Sequence, residues 1–182
     1  MRIFIALELP EMFASDTAEL ARQLSGMIEG RFPPRENHHL TLAFIGESDE
    51  AGVAASIEAI DAAYKGVEPV PVRSDGLGKF GRTSNATLWL GIAPRPELME
   101  LASKLRVELA ARDVRFDGKP FKPHVTLARR ARIPKVGLPS LAFPRDDEAR
   151  TITLLKSALD HEGATYKPLH SIDLTANGSY AE

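Results

Sequence analysis

At 182 residues and without cysteine, the chain is long enough for a well-buried core and excludes disulfides, thiolate metal sites and cysteine nucleophiles. Its apolar (43%) and charged (26%) fractions are those of an ordinary folded protein, and a net charge of −2 argues against one that coats duplex DNA. The opening Met1–Pro10 is a poor signal peptide and no stretch reaches the length of a transmembrane helix, so a cytoplasmic protein with no membrane partner is expected.

Arg2–Leu9 alternates as a strand does, with Ile3, Ile5, Leu7 and Leu9 on one face and Arg2, Phe4, Ala6 and Glu8 on the other. Pro10 ends it, and residues 11–29 read as a helix burying Phe13, Leu20, Leu24 and Met27/Ile28 before Gly30 and Pro33-Pro34. His38–Ile45 is a second strand. Ser48-Asp49-Glu50 then starts a helix whose stripe is Val53, Ile57, Ile60 and Tyr64. Val67–Val72 and Thr87–Ile92 are strands bracketing a glycine-rich connection. Pro94–Arg112 is a third helix, with Leu98, Leu101, Leu105 and Leu109 inward. His124–Ala128 is a strand, residues 131–149 are an exposed excursion, and Thr151–Leu159 and Tyr166–Leu174 form a hairpin turning near Glu162-Gly163. Strands and helices mix without a strict βαβα rhythm, which predicts an α+β fold.

Two stretches share one phrase: His39-Leu-Thr-Leu-Ala-Phe44 and His124-Val-Thr-Leu-Ala-Arg129, each on a strand that follows a helix. On a strand, residues two apart share a face, so His39 projects with Thr41 and His124 with Thr126 while Leu40/Leu42 and Val125/Leu127 face the core. Two lobes related by a pseudo-twofold would bring both pairs into one cleft, within a single unit spanning residues 1–182. Two imidazoles and two hydroxyls suit hydrolysis of a phosphodiester. One imidazole takes a proton from the attacking water and the other protonates the departing oxygen, since a pKa of about 6.5 permits either role near neutrality. The hydroxyls and a nearby cation hold the equatorial oxygens. A cation source is at hand, for residues 112–135 carry eight Lys/Arg against Asp113 and Asp117, a local +6 on a remainder of −8. That asymmetry suits a small phosphorylated ligand or a nucleic-acid end.

The paired motifs, in the settings Asn37-His38-His39-Leu-Thr-Leu and Phe121-Lys-Pro-His124-Val-Thr-Leu-Ala-Arg129, resemble those of the 2H phosphoesterases, and within them the RNA 2′,3′-cyclic phosphodiesterases once called 2′-5′ RNA ligases. The opening Arg2-Ile-Phe-Ile-Ala-Leu, the Phe80 segment before Leu88-Trp-Leu-Gly-Ile92, and Ser157 followed by Tyr166 agree with it. The resemblance implies a bilobal α+β fold, with antiparallel sheets lining a central cleft and helices outside. It implies conversion of an RNA 2′,3′-cyclic phosphate end to a 2′-phosphate, by a monomer, with no metal or other cofactor. It makes His39 the proton donor and His124 the acceptor, an order the residues themselves leave open. Thr41 and Thr126 would bind phosphate. For the cation the resemblance favours Arg129, whereas strict alternation puts Arg130 on the face of His124 and Thr126; a bulge after Ala128 would reconcile the two. Phe4, Phe121 and Lys122 are candidates to touch the RNA or its base. The same site acting on 2′,5′-linked oligonucleotides or small cyclic nucleotides, or a non-catalytic module that grips RNA ends, are the alternatives.

Other motifs carry less. Gly76-Leu-Gly78-Lys-Phe-Gly81 spells a dinucleotide-binding pattern, but a strand follows it instead of a helix. His38 faces away from His39 and reads as a surface or supporting residue, and His161 and His170 as structural. Asn85-Ala-Thr87 and Asn177-Gly-Ser179 match a glycosylation pattern and carry no weight without secretion.

Overall fold

A computed structural model describes residues 1–175, and Asn177-Gly-Ser179 lies outside them. Strand β1 (Arg2–Glu8) buries Ile3 through Leu7 completely or nearly so. It is interior to its sheet, both edges paired, between β3 (His39–Glu47) and β9 (Thr151–Asp160), with β10 (Gly163–Asp173) outermost beyond β9. A second four-stranded sheet has the order β2 (Glu29–Arg31), β7 (His124–Arg132), β6 (Asn85–Ile92), β5 (Ser74–Arg82). All pairings in both sheets are antiparallel. Among the described residues three α-helices accompany them: α1 (Glu11–Ser25), α2 (Glu50–Tyr64) and α3 (Pro96–Ala111). This is the expected α+β architecture.

The two sheets are built by the same move. In the first, β1 leads into α1 and the chain returns as β3 beside β1. In the second, β6 leads into α3 and returns as β7 beside β6. The helices bury the expected leucines, Leu20 and Leu24 on α1 and Leu98, Leu101, Leu105 and Leu109 on α3. Asp49 caps α2 by accepting from the Gly52 amide at 2.8 Å, as the Ser48-Asp49-Glu50 start predicts. Leu40, Leu42, Val125 and Leu127, the residues alternating with the two histidines and threonines, are all buried. Truncating such a leucine to alanine costs about 2–5 kcal/mol, so the motif strands are firmly anchored.

Several boundaries differ from expectation, for identifiable reasons. Helix α1 stops at Ser25, and Glu29–Arg31 leaves it to pair with β7. On α2 the buried face is Ser56, Ala59, Ile60, Ala63 and Tyr64, with Val53 and Ile57 only half-buried, because small residues let α2 pack closely. The glycine-rich connection is itself strand β5. Gly76 (φ +71°) sits at a register shift in its ladder, and a side chain at Gly78 would collide with the Trp89 ring. Strand β7 runs on to Arg132, and the excursion after it contributes β8 (Asp147–Ala149), paired with the short β4 (Val70–Val72).

Candidate active site

Each motif histidine opens the second strand of its β–α–β unit. His39 stands opposite Glu8 and Thr41 opposite Ala6; His124 stands opposite Gly91 and Thr126 opposite Trp89. Strands β3 and β7 adjoin. His39, Thr41, His124 and Thr126 consequently line one cleft of about 1030 Å³. Arg2, Arg31, Arg106, Lys119, Lys122 and Arg129 line it too, against two carboxylates, Asp117 and Glu162. The cleft is cationic although the chain is not, which favours a small anion or a strand end.

Each imidazole sits between two aromatic rings. His124 Nδ1 lies 2.6 Å from the carbonyl oxygen of Lys122; an oxygen there only accepts, so Nδ1 carries the proton and Nε2 is left with its lone pair. Phe80 and Trp89 flank this ring at 5.2 and 5.9 Å between centroids. His39 has Phe4 at 4.8 Å and Tyr166 at 5.2 Å. The rings exclude water, and that desolvation is the main cause of a lowered pKa at both histidines. At His39 it reaches about 4, against a hydrogen bond to the Asn37 backbone that works the other way. The charge of Arg129 depresses both imidazoles further, as does His124 that of His39, so these groups lie within electrostatic reach of one another.

Arg129 lines the cleft and Arg130 does not. Between the pairs Leu88↔Ala128 and Ala86↔Ala131 the ladder slips, and Arg130 adopts a left-handed conformation at φ 51°. That bulge breaks the alternation that would have sent Arg130 into the cleft. A left-handed non-glycine residue costs roughly 1–2 kcal/mol, a strain retained beside the site.

The expectation for Phe4 changes. It is buried, because the His39 and Tyr166 rings pack against it, and it has no open face for a base. Phe121 and Lys122 do line the cleft, but the Lys122 ammonium already lies over the Trp89 ring at 4.7 Å and the Phe80 ring at 5.7 Å. His38 is not a surface residue: it is 7% exposed, its ring nitrogens lack hydrogen-bond partners, and burial lowers its pKa. His161 is exposed, with Glu162 at 4.0 Å, and His170 Nε2 lies 2.8 Å from Asp61 on α2. Among the described residues no group of three or more His, Asp or Glu stands together as metal ligands would. Phe80, Trp89 and Tyr166, whose segments figured only in the resemblance, are the rings that shape the site. The signal for Trp89 lay in Gly78, opposite it on β5, which leaves room for an indole.

Comparison with known proteins places this architecture. The sequence pattern of the 2′-5′ RNA ligase superfamily matches residues 11–142. An RNA 2′,3′-cyclic phosphodiesterase of Thermotoga maritima is 31% identical over 93% of this chain and 94% of its own. One from Escherichia coli is 32% identical over 96% of this chain and 97% of its own. Among solved structures, TT0787 of Thermus thermophilus superposes with a TM-score of 0.84 at 27% identity, covering 97% of this chain and all (100%) of that one. E. coli LigT complexed with 3′-AMP gives 0.79 at 28% identity, covering 96% and 98%. The fold and the paired motifs are those of a two-histidine phosphoesterase. The chain belongs to the 2′-5′ RNA ligase superfamily.

Proposed function

We propose that the protein hydrolyses the 2′,3′-cyclic phosphate at an RNA end to a 2′-phosphate, using His39 and His124 without a metal. The observation that carries this reading is the matched pair of imidazole–threonine sets facing one cationic cleft. The names of the full-length relatives supply the substrate. Water attacks phosphorus as its proton passes to His124 Nε2. The bond from phosphorus to the 3′ oxygen breaks on the opposite side, and His39 donates the proton that oxygen needs. Thr41 and Thr126 donate hydrogen bonds to the non-bridging oxygens, and Arg129 counters the charge that builds on them. Solvent then returns a proton to His39 and removes one from His124.

A pKa of about 4 leaves His39 neutral in the free cleft at pH 7. The bound phosphate anion favours the imidazolium, so protonation of His39 accompanies substrate binding. His124 is prepared for the opposite role, its Nδ1 proton fixed on the Lys122 carbonyl. Phe80, 40% exposed at the cleft, offers a face for a base. Both motifs come from one chain, which supports action by a monomeric single unit; the cysteine-free composition fits a reducing cytoplasm.

The test is a short RNA ending in a 2′,3′-cyclic phosphate, incubated in EDTA with wild type, His39→Ala and His124→Ala. Wild type forms the 2′-phosphate, and each variant is slower by about 10²–10⁴. Strong inhibition by EDTA would replace the two-imidazole mechanism with a metal-dependent one. Absence of turnover by wild type would shift the assignment to another cyclic or 2′,5′-linked substrate, or to a binding module.

A further inference from the structure

The cations on the cleft wall are not equivalent. The Arg106 guanidinium donates to the Lys119 carbonyl at 2.7 Å and lies over Phe116 and Phe121. That of Arg2 covers Phe44, Lys119 pairs with Asp117, and Lys122 covers Trp89 and Phe80. Among the described residues only Arg31 and Arg129 of this set have no carboxylate, carbonyl or ring partner.

These two arginines are neighbours. Arg31 on β2 stands directly opposite Arg129 on β7. Side chains opposite one another on an antiparallel ladder share a face, with Cβ atoms about 4.5–5.5 Å apart, and like charges so placed destabilise the pair. The other cross-strand pair of the same ladder is complementary: Glu29 stands opposite Arg132, 3.9 Å away. The sheet thus satisfies charge outside the cleft and leaves two guanidiniums unmatched inside it. The Arg31 guanidinium also has a built seat. The β9–β10 turn crosses over it so closely that a Cβ on Gly163 would sit 2.7 Å from Nη2, and Asn37 Nδ2 holds that turn by donating to the Ala164 carbonyl at 2.8 Å. Glu162 of the turn has His161 as its ionic neighbour, at 4.0 Å, and makes no ion pair with Arg31.

We infer that Arg31 forms a second phosphate subsite, which takes the phosphodiester on the 5′ side of the terminal nucleoside while Arg129 takes the cyclic phosphate. The inference rests on the proposed reaction. One phosphate at Arg129 satisfies one guanidinium; a strand brings a second phosphate, and a cyclic mononucleotide does not. Arg31 therefore makes the enzyme select oligonucleotide ends.

The experiment compares kcat/KM for a cyclic mononucleotide and for a trinucleotide with a 2′,3′-cyclic end, in wild type, Arg31→Ala and Arg31→Lys. Arg31→Ala lowers the trinucleotide-to-mononucleotide ratio about tenfold, as loss of one charged hydrogen bond does, and Arg31→Lys restores part of it. The salt dependence of trinucleotide turnover becomes shallower by about 0.7 in log–log slope. Equal losses on both substrates, or an unchanged ratio, would overturn the subsite. Affinities for a mononucleotide and a trinucleotide bearing 2′-phosphates give the same ratio without turnover. That separates failure of the subsite from failure of the proposed reaction.

Discussion

In the half of the cleft that carries His39, β1 and β3 flank α1, and Phe4 and Tyr166 close around the imidazole. In the half that carries His124, β6 and β7 flank α3, and Phe80 and Trp89 take the same positions. The parts match, yet the electrostatic outcomes differ. His39 is the more deeply enclosed, and desolvation carries its pKa to about 4. His124 is lowered by the same cause, with the hydrogen bond to Lys122 opposing it and the Lys122 and Arg129 charges adding to it. Symmetry of the scaffold supplies two aimed imidazoles, and the deeper enclosure of His39 keeps that ring neutral in the free cleft. A proton donor must be charged, so the roles are completed by the substrate, whose phosphate anion favours the imidazolium at His39.

The strongest way to break that comparison is to remove both rings. If the two imidazoles serve one displacement, the double variant His39→Ala/His124→Ala is no more than a few-fold slower than the worse single variant, each of which loses about 10²–10⁴ in kcat. Losses that multiply would mean that the halves act in separate steps. A smaller effect sharpens the contrast at the bulge. Arg129→Ala lowers kcat by about 10², the scale of one donor to a developing oxyanion, while Arg130→Ala stays within about twofold. A larger effect at Arg130 would place the bulge differently in solution.

The sequence made part of this site legible because part of it is local. The i, i+2 spacing of His39/Thr41 and His124/Thr126, with leucine and valine between, needs only strand geometry to be read. The helix stripes on α1 and α3 are legible for the same reason. What failed was what depends on strands far apart in the chain. Tyr166 reaches His39 from β10 across β9 and β1, and nothing near residue 166 announces that contact. Phe4 alternates as a cleft residue would, but the His39 and Tyr166 rings, brought in from β3 and β10, pack over it and bury it. Arg129 over Arg130 is a different case: the resemblance favours it and a bulge after Ala128 is the expected reconciliation, although no propensity in Ala-Arg-Arg-Ala specifies that bulge. The glycines of β5 were legible as glycines; only the cross-strand register shows that Gly78 makes room for Trp89.

The finest test of the comparison is protonation. With a pKa of about 4, only about one His39 ring in 10³ is charged at pH 7 in the free enzyme. The reaction needs one imidazole charged and one neutral, and the pair titrates as a unit. Both values lie below 6.5 in the empty cleft, so the active singly protonated form is most populated on the acid side of 6.5. The profile of kcat/KM, which reports the free enzyme, therefore peaks below pH 6.5 and declines toward pH 8. The profile of kcat reports the complex, where the phosphate anion stabilises the imidazolium, and its peak moves to higher pH. Imidazole proton shifts followed by NMR assign the steps: His39 titrates near 4 alone and higher with a 2′-phosphorylated product bound. Tyr166→Ala, which admits water beside His39, raises its free value toward 6.5 while leaving that of His124 in place. If Tyr166→Ala moved both rings equally, the two cages would be one shared environment, and the separate enclosure of His39 would be lost as the cause of its low value.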